Sequence, residues 1–429
     1  MATRSNSHVC YVVPPYLLSA ICDSSHNEDP VRESARHALT LHKSYVGKRE
    51  KRFAALTAPR GLKGAANLHR QHSIVPDHIL QHIADSEDVD EDTRACARRD
   101  LEHIRTVHAK YQEAQGLRSE SADQKATVAA EQPSDIVEKT YRAVYDAQHD
   151  QNEAHLPGKV IRVEGQKASE DESANEAYDN AGLVLSFYKD IFNWKSIDNK
   201  NMQVISSVHF GTNYENAFWD PEAAQMVYGD GHTFLTNFTG CIDVIGHELT
   251  HAVTEYTSPL DYQGQSGALN EHVSDVFGIM IKQRVEDETA DKADWLIGEY
   301  CLMPGVKGVA LRSMKAPGTA YDDPRFGKDP QPANFKDYKV TAEDNGGVHL
   351  YSGIPNKAFY NAAVAFGGYS WEKAGKIWWE TMQSGQVPAR CTFIQFADVT
   401  VDKAEELFGD DAAAILRKAW NDVGVTRKS

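Results

Sequence analysis

Two histidines and a glutamate lie close together in the middle of this 429-residue chain. They are His247, Glu248 and His251, in a stretch whose apolar residues recur with a helical period. Residues four apart share one face of a helix, so both imidazoles can bind the same metal ion. Imidazole nitrogens are good zinc ligands, and the glutamate between them can accept a proton from water that the metal activates. The pattern predicts a zinc hydrolase, although a five-residue pattern can also arise by chance on an exposed helix.

A catalytic zinc needs a third protein ligand and one open position. Thr257 stands where a metzincin would carry a further histidine, which excludes that class of protease. Glu271 can supply a carboxylate ligand from a second predicted helix. Asp275 lies one turn later on the same face, where it can accept the free N–H of a ligand histidine and fix its tautomer. His272 points off this face and is predicted to be structural.

Composition and charge exclude several classes of protein. The chain has 45 Lys and Arg against 62 Asp and Glu, a net charge of −17, which argues against nucleic-acid binding. No apolar run is long enough to predict a transmembrane helix. The six cysteines include no CxxC pair, so neither a zinc ribbon nor a disulfide scaffold is expected. The first residues lack the features of a classical signal peptide.

The N-terminal region repeats itself. Val13-Pro14 recurs as Val75-Pro76, and Asp23-Ser24 recurs as Asp85-Ser86. We interpret residues 1–134 as two repeated helical units, near 8–52 and 70–113, followed by a polar linker at 114–134.

After residue 134 the sequence pattern predicts mainly strands in the first part and mainly helices in the second. Residues 135–256 combine short apolar runs with turn residues, which predicts a β-rich lobe that includes the zinc helix. Residues 257–429 predict an α-helical lobe. The predicted helices lie near 174–193, 241–256, 266–286, 352–366, 371–384, 392–406 and 410–422.

Further motifs accompany the zinc pattern. They are Asn216-Ala217-Phe218-Trp219, Arg312-Ser313-Met314, Asp344-Asn345-Gly346-Gly347-Val348-His349 and Ser352-Gly353-Ile354-Pro355-Asn356-Lys357. With the zinc pattern they resemble the thermolysin-like neutral metalloprotease family, and more closely its protealysin-type branch. The resemblance covers residues 140–429 and an N-terminal element, Pro14-Pro15-Tyr16-Leu17-Leu18. It implies an α+β fold: a small helical propeptide, then a β-rich and an α-helical catalytic lobe, with the zinc site on the central helix.

The resemblance also implies an activity and a role for each residue of these motifs. The activity is zinc-dependent endoproteolysis before bulky hydrophobic residues, by an enzyme made as an inactive precursor. The implied roles are zinc ligation by His247, His251 and Glu271, general-base catalysis by Glu248, a supporting carboxylate in Asp275, oxyanion stabilisation by His349 and Tyr262, orientation of His349 by Asp344, and substrate binding by Asn216, Ala217 and Arg312. Phe234, Phe238, Val244 and Leu311 either line an apolar substrate pocket or pack in the core.

Calcium binding is where the chain departs from the family. Asp243, Asp294 and Glu299 match positions that hold calcium in many members. Lys282 and Leu296 replace two of the usual ligands. Because a lysine ammonium can take the place of one cation among carboxylates, a full double-calcium site is doubtful and calcium dependence should be weak.

These inferences leave several alternatives open. The expected partners of a monomeric enzyme are protein or peptide substrates and its own propeptide as an intramolecular inhibitor, without nucleic acid or membrane. We expect secretion by a route without a classical signal peptide, or else a cytoplasmic precursor. Either repeated unit can block the cleft, and Cys10 or Cys22 can cap the zinc as a thiolate. The alternative function is a catalytically silent peptide-binding or inhibitory protein that keeps the fold.

Overall fold

The computed structural model describes most of the catalytic region and a short N-terminal segment. The chain forms two compact units, Met1–Leu56 with Asp135–Ser429, and Thr57–Ser134. All described residues belong to the first unit. The second predicted repeat and the linker lie outside them, so their boundaries stay predictions. The described residues are 13–36, 38–40, 140–220, 223–232, 235–324, 327–341 and 344–426.

A five-stranded mixed sheet forms the N-terminal lobe, in the order β2-β1-β3-β5-β4. β1 pairs antiparallel with β2 and parallel with β3, while β5 runs parallel to β3 and antiparallel to β4. β4 therefore lies at one edge of the sheet, as expected for the segment after Asn216. The strands are β1 Arg142–Asp146, β2 Lys159–Val163, β3 Val204–Val208, β4 Ala217–Asp220 and β5 Gln225–Tyr228.

Helices dominate the described chain after β5, as predicted. Four short strands, β6 Leu296–Ile297, β7 Arg312–Ser313, β8 Asp322–Asp323 and β9 Gly327–Lys328, form two small antiparallel pairs. The α-helices are α1 Pro15–Asp23, α2 Glu172–Phe192, α3 Ile242–Tyr256, α4 Gly264–Glu286, α5 Asp344–Tyr351, α6 Gly353–Phe366, α7 Ala374–Gln383, α8 Phe393–Phe408 and α9 Asp410–Asp422. Among the described residues, none of these is both long and apolar enough to span a bilayer.

Local sequence explains where several helices begin and end. Asp171 caps α2 by accepting from the backbone N–H of Ala174 at 2.9 Å, and Asn193 ends the helix in the left-handed region. Thr392 and Gln395 form a reciprocal capping box at the start of α8. Prediction from periodicity located these helices to within a few residues.

The close packing of α3 against α4 positions the site. Gly246 on α3 faces Gly278 on α4, and a Cβ atom on Gly278 would lie 2.6 Å from the backbone oxygen of Asp243. Any larger residue there would push the two helices apart. Since α3 and α4 carry the predicted zinc ligands, these two glycines permit the short separation that one ion requires.

Candidate metal centre

Three predicted ligands converge in the structure. One ligand atom each of His247, His251 and Glu271 can be chosen so that all three lie within 4.8 Å of one another. The Nε2 atoms of the two histidines are 3.0 Å apart. The carboxylate oxygens of Glu271 lie 3.4 Å from His247 Nε2 and 3.6 Å from His251 Nε2. All three side chains are buried.

The donor set of this cluster fits zinc. Two imidazole nitrogens and one carboxylate are the three protein ligands of a typical catalytic zinc site, which keeps a fourth position for water or substrate. Glu248 Oε1 and Glu271 Oε2 are buried and have no hydrogen-bond partner among the described residues. Buried carboxylate oxygens in that state are costly unless a cation lies beside them, so the cluster is suited to a bound metal ion.

The far nitrogen of each ligand histidine is held by a polar partner. His247 Nδ1 lies 2.8 Å from Asp275 Oδ1, and His251 Nδ1 lies 2.7 Å from Asn270 Oδ1. Arg312 donates to both oxygens of Asp275, at 3.0 and 2.8 Å. Such partners fix the ring orientation and tautomer that a metal ligand needs.

Burial and charge set the protonation of these acids. Burial raises the pKa of Glu248 to about 8 in the metal-free protein. Burial alone would also raise the pKa of Asp275, but the charge of Arg312 and the bond to His247 bring it well below its usual range. Asp275 therefore stays ionised, whereas Glu248 has a pKa near neutrality, as suits a group that exchanges protons.

A third histidine faces the cluster from α5. His349 Nε2 lies 3.5 Å from Glu271 Oε2 and 3.3 Å from the hydroxyl of Tyr262, which itself donates to Glu271. Asp344 accepts from the His349 backbone N–H at 2.9 Å, and its other oxygen lies 2.7 Å from His349 Nδ1. Asn345, Gly346 and Gly347 fall within the span of α5 but are not helical: all have positive φ, which turns the chain tightly enough for one carboxylate to reach both groups.

The edge strand β4 reaches the same site. The backbone N–H of Trp219 donates to Glu248 Oε2 at 3.2 Å. Asn216 lies just before β4, and its side-chain oxygen accepts from the backbone of Ala217 at 2.9 Å. The strand thus contacts the predicted base directly.

The described N-terminal segment contacts both lobes of the catalytic region. The backbone N–H of Val13 donates to Asn216 Oδ1 at 3.1 Å, and Ser34 Oγ donates to Asn213 O at 2.6 Å. Ser24 Oγ donates to Pro324 O at 3.2 Å, in the C-terminal half. Val13, Pro14, Pro15, Leu17, Leu18 and Ile21 are buried. This segment therefore binds Asn216, the residue just before the edge strand β4.

Two family models cover most of this chain. The catalytic domain of thermolysin metallopeptidases matches residues 88–255, and the α-helical domain of the same enzymes matches residues 258–425. The chain belongs to the thermolysin metallopeptidase family. It is a zinc metallopeptidase, because the family uses zinc and the cluster of His247, His251 and Glu271 fits that ion.

Relatives of this thermolysin-family chain extend over most of its length. It is 48% identical to "Protease PrtS" of Photorhabdus sp. (strain Az29), over 68% of this chain and 78% of that protein. It is 43% identical to an "Extracellular metalloprotease" of Pectobacterium carotovorum subsp. carotovorum, over 82% and 96%. Among solved structures, the precursor of protealysin, a metalloproteinase from Serratia proteamaculans, matches with a TM-score of 0.65 and 45% identity, over 82% of this chain and 99% of that one.

Beside the zinc cluster, this thermolysin-family protein carries a lysine among carboxylates. Lys282 Nζ lies 2.8 Å from Asp294 Oδ2, 2.9 Å from Glu299 Oε2 and 3.5 Å from the backbone oxygen of Leu296. Asp243 accepts from the Gly298 backbone N–H at 2.7 Å. The Lys282 ammonium therefore bonds Asp294 and Glu299, two of the three acids that match calcium-binding positions, as the sequence led us to expect.

Some residues of the site were not assigned a role from sequence. Asn270, Asn356 and the backbone of Trp219 bind His251, Asp275 and Glu248 respectively. Histidines that bind a metal usually donate the N–H of their other ring nitrogen to an oxygen atom. Asn270 immediately precedes Glu271, so its side-chain oxygen could have been proposed for this role from the sequence.

The structure also bears on the predictions for His272, for a cysteine that caps the zinc and for the apolar residues near the site. His272 bonds Asn356 and Trp378, in keeping with a structural role. Cys22 donates to Arg32 O at 3.6 Å, which disfavours its role as a zinc cap. Phe238, Val244 and Leu311 are buried in the core. Phe234 and Cys10 lie outside the described residues.

Proposed function

We propose that this zinc metallopeptidase is an endopeptidase made as an inactive precursor, and that it cuts proteins before bulky hydrophobic residues. The observation that carries the proposal is the buried convergence of two histidines and a carboxylate beside the unbonded Oε1 of Glu248. Bound zinc would supply Lewis acidity, which polarises a peptide carbonyl and lowers the pKa of water. The residues below supply the rest of the chemistry.

Glu248 is the proposed general base. Its Oε2 is held by the Trp219 N–H at 3.2 Å, so its Oε1 is left to accept a proton from the attacking water. The same carboxyl can then pass that proton to the leaving amine. A base held by a strand that also binds substrate keeps a fixed distance to the scissile bond.

His349 and Tyr262 are the proposed donors to the oxyanion. Their donor atoms lie 3.3 Å apart, and both are buried beside Glu271. Burial alone would lower the pKa of His349, but the charges of Glu271 and Asp344 raise it, which favours a cationic ring that donates. Donors fixed in a site without water stabilise developing negative charge at little cost of reorganisation.

The proposed substrate site runs along β4. Once the N-terminal segment has left Asn216, an extended peptide can pair with the outer edge of this strand, with Asn216 and Ala217 as its backbone partners. Arg312 is buried and already pairs with Asp275, so it combines two proposed tasks: holding that carboxylate and presenting a guanidinium to a substrate carbonyl. The bulky-residue preference rests on the family resemblance.

The N-terminal segment is the proposed inhibitor. Val13 already uses Asn216, one of the residues that we assign to substrate, and its neighbours are buried against the catalytic region. We propose that residues 1 to about 134 are a propeptide, removed when the enzyme matures. The likeness to a protealysin precursor supports a precursor form. The extracellular relative supports export.

Intact mass, zinc content and peptide hydrolysis, followed over time on the full chain, test this proposal. Wild-type protein should lose its N-terminal region, hold about one zinc and then hydrolyse a casein-type peptide. Glu248→Ala should bind zinc but neither cut the peptide nor shorten itself. N-terminal sequencing of the mature form would locate the cleavage site, which we expect near residue 134, although the catalytic-domain match begins at residue 88.

Two results would contradict parts of the proposal. Maturation of purified Glu248→Ala at the wild-type rate would rule out self-processing. Wild-type protein that holds zinc but stays inert after an added protease trims it near residue 134 would instead be the silent peptide-binding protein.

A further inference from the structure

Two cysteines of the catalytic region face each other in the core. Cys241 and Cys301 are both buried, and their sulfur atoms lie 2.9 Å apart. The other two described cysteines bond elsewhere, Cys22 to the backbone of Arg32 and Cys391 to that of Thr392. We propose that Cys241 and Cys301 are an oxidation site, and that they form a disulfide bond when the protein folds in an oxidising environment.

The backbone around the pair is already held in place. Thr236 N–H donates to Cys301 O at 3.0 Å, and Leu235 forms a bridge with Leu302. On the other side, Gly298 N–H donates to Asp243 Oδ2 at 2.7 Å. These contacts fix both chain segments on either side of the two sulfurs. To form a disulfide, the sulfur atoms would have to approach from 2.9 Å to about 2.05 Å.

The reaction balances with a small disulfide as the oxidant. Two S–H bonds are broken and one S–S bond forms between Cys241 and Cys301. The two electrons and two protons reduce the disulfide of the oxidant, such as oxidised glutathione, to two thiols through a mixed-disulfide intermediate. Burial raises the pKa of the Cys301 thiol well above its usual value, so the exchange should occur during folding, while the sulfurs are still accessible.

The proposed bond would close a loop of the chain that contains the proposed zinc ligands. Cys241 is the residue before α3, Cys301 ends the turn that contains Glu299, and the two are 60 residues apart. His247, His251 and Glu271 all lie between them in the chain. A cross-link here therefore closes one covalent loop around all three proposed zinc ligands, which restricts the unfolded chain and should slow loss of the site on heating.

Peptide mapping tests the proposal on the full chain. Glu248→Gln protein, which should not digest itself, is unfolded, refolded with reduced and oxidised glutathione, and then alkylated in denaturant. Trypsin separates the two cysteines, because Lys282, Arg284 and Lys292 lie between them. We expect peptides 201–282 and 293–307 to be joined by a bond that reduction removes, and four of the six cysteines to be alkylated. Alkylation of all six, or a bond that maps to other cysteines, would overturn the proposal.

Matched variants make the result specific. Cys301→Ser should remove the cross-linked peptide, whereas Cys391→Ser, which changes another buried cysteine, should keep it. Mapping of the chain with both cysteines intact decides the proposal even if a variant folds poorly. Loss of the cross-linked peptide in Cys391→Ser as well would contradict the assignment.

The effect on the enzyme is a separate measurement that rests on the proposed function. Oxidised enzyme, freed of glutathione by gel filtration, should lose peptidase activity on heating several times more slowly than reduced enzyme. In Cys301→Ser the two preparations should decay at the same rate. Equal decay of the wild-type preparations with the bond present would overturn the inferred protection of the site, while the mapped bond and the peptidase assignment would each stand on their own tests.

Discussion

Helix α4 contributes to two polar clusters, one buried and one partly buried, in which acidic side chains are neutralised in different ways. At one cluster Glu271 meets His247 and His251, and two buried carboxylate oxygens remain without hydrogen bonds among the described residues. At the other, Lys282 reaches Asp294 and Glu299 at 2.8 and 2.9 Å. The first cluster therefore depends on an added cation, and the second contains its own.

This difference suits the Glu271 cluster to catalysis and the Lys282 cluster to stabilising the fold. A metal ion can keep an open position for substrate, whereas an ammonium has three donors that the surrounding oxygens use up. Burial alone would lower the pKa of Lys282, but its bonds to Asp294 and Glu299 raise it, so this side chain stays charged at neutral pH. Stability at this cluster should then be independent of free metal ions, while activity at the other should not.

Metal removal should give the largest effect. A zinc chelator should lower peptide hydrolysis about a thousandfold or more, because the ion supplies several kcal/mol of transition-state stabilisation. Added zinc should restore hydrolysis, and calcium at the same concentration should not, since imidazole ligands suit zinc and calcium prefers oxygen. Recovery with calcium would contradict the assignment of the two clusters.

Asp275→Asn should lower the affinity for zinc by removing the partner of a ligand histidine. The change removes the carboxylate that orients His247 and takes the ion-pair partner Asp275 away from the buried Arg312. We expect zinc affinity to fall by about 10- to 100-fold, and the free energy of unfolding by about 3–5 kcal/mol. Zinc titration and urea unfolding of metal-free protein measure the two effects.

Asn356→Ala is the matched control for that variant. It removes the hydrogen bonds to Asp275 and to His272 but keeps both charges, so the loss of stability should be about 2 kcal/mol. If it weakens zinc binding as much as Asp275→Asn, orientation by the carboxylate is not the cause.

Lys282→Met tests the internal cation. Two partly buried carboxylates lose their counter-charge, and we expect the free energy of unfolding to fall by about 3 kcal/mol. Lys292→Met is the control, because its pair with Asp291 is 3.5 Å long and exposed, and it should cost less than about 1 kcal/mol. Urea unfolding in a Glu248→Gln background avoids self-digestion. Equal losses in the two variants would remove the distinction between the clusters.

His209 offers a smaller, pH-dependent version of an internal cation. Its ring nitrogens lie 2.7 Å from Asp230 and 2.9 Å from Asp171, and His149 also faces Asp230. The bond to Asp230 raises the pKa of His209 to about 9, with Asp171 adding to it against the effect of burial. Because the folded pKa exceeds the unfolded one, this stabilisation is complete below about pH 6.5 and is lost as pH rises through about 9.

The His209 effect can be measured by difference. Wild-type stability should exceed that of His209→Gln by about 1 kcal/mol at pH 6, since water screens these partly exposed pairs. The difference should shrink by pH 10. A difference that stays constant over this range would show that the ring contributes by packing and not by charge.

The sequence was informative where spacing dictates geometry. The interval between His247 and His251 places both on one helical face, and the helices α3 and α4 occur close to their predicted limits. The family resemblance implied that Asp344 orients His349, and the two residues are in contact in the structure. Pattern and period carry such information because neighbours along a helix or tight turn are neighbours in space.

Other features depend on tertiary packing and left little trace in the sequence. The Trp219 N–H that binds Glu248 is a backbone group, so its residue type carries no signal. The approach of Gly246 to Gly278, and of Cys241 to Cys301, joins residues far apart in the chain. The roles given to the site residues and the limits of the propeptide stay predictions until the experiments above are done.

Zinc content measured together with peptide hydrolysis tests the central claim most directly. Wild-type protein, Glu248→Gln and Glu271→Gln are compared after the same preparation. We predict about one zinc per chain and activity for the wild type, the same zinc with hydrolysis reduced at least about a hundredfold for Glu248→Gln, and little zinc for Glu271→Gln. Full activity in Glu248→Gln, or undiminished zinc in Glu271→Gln, would contradict the account.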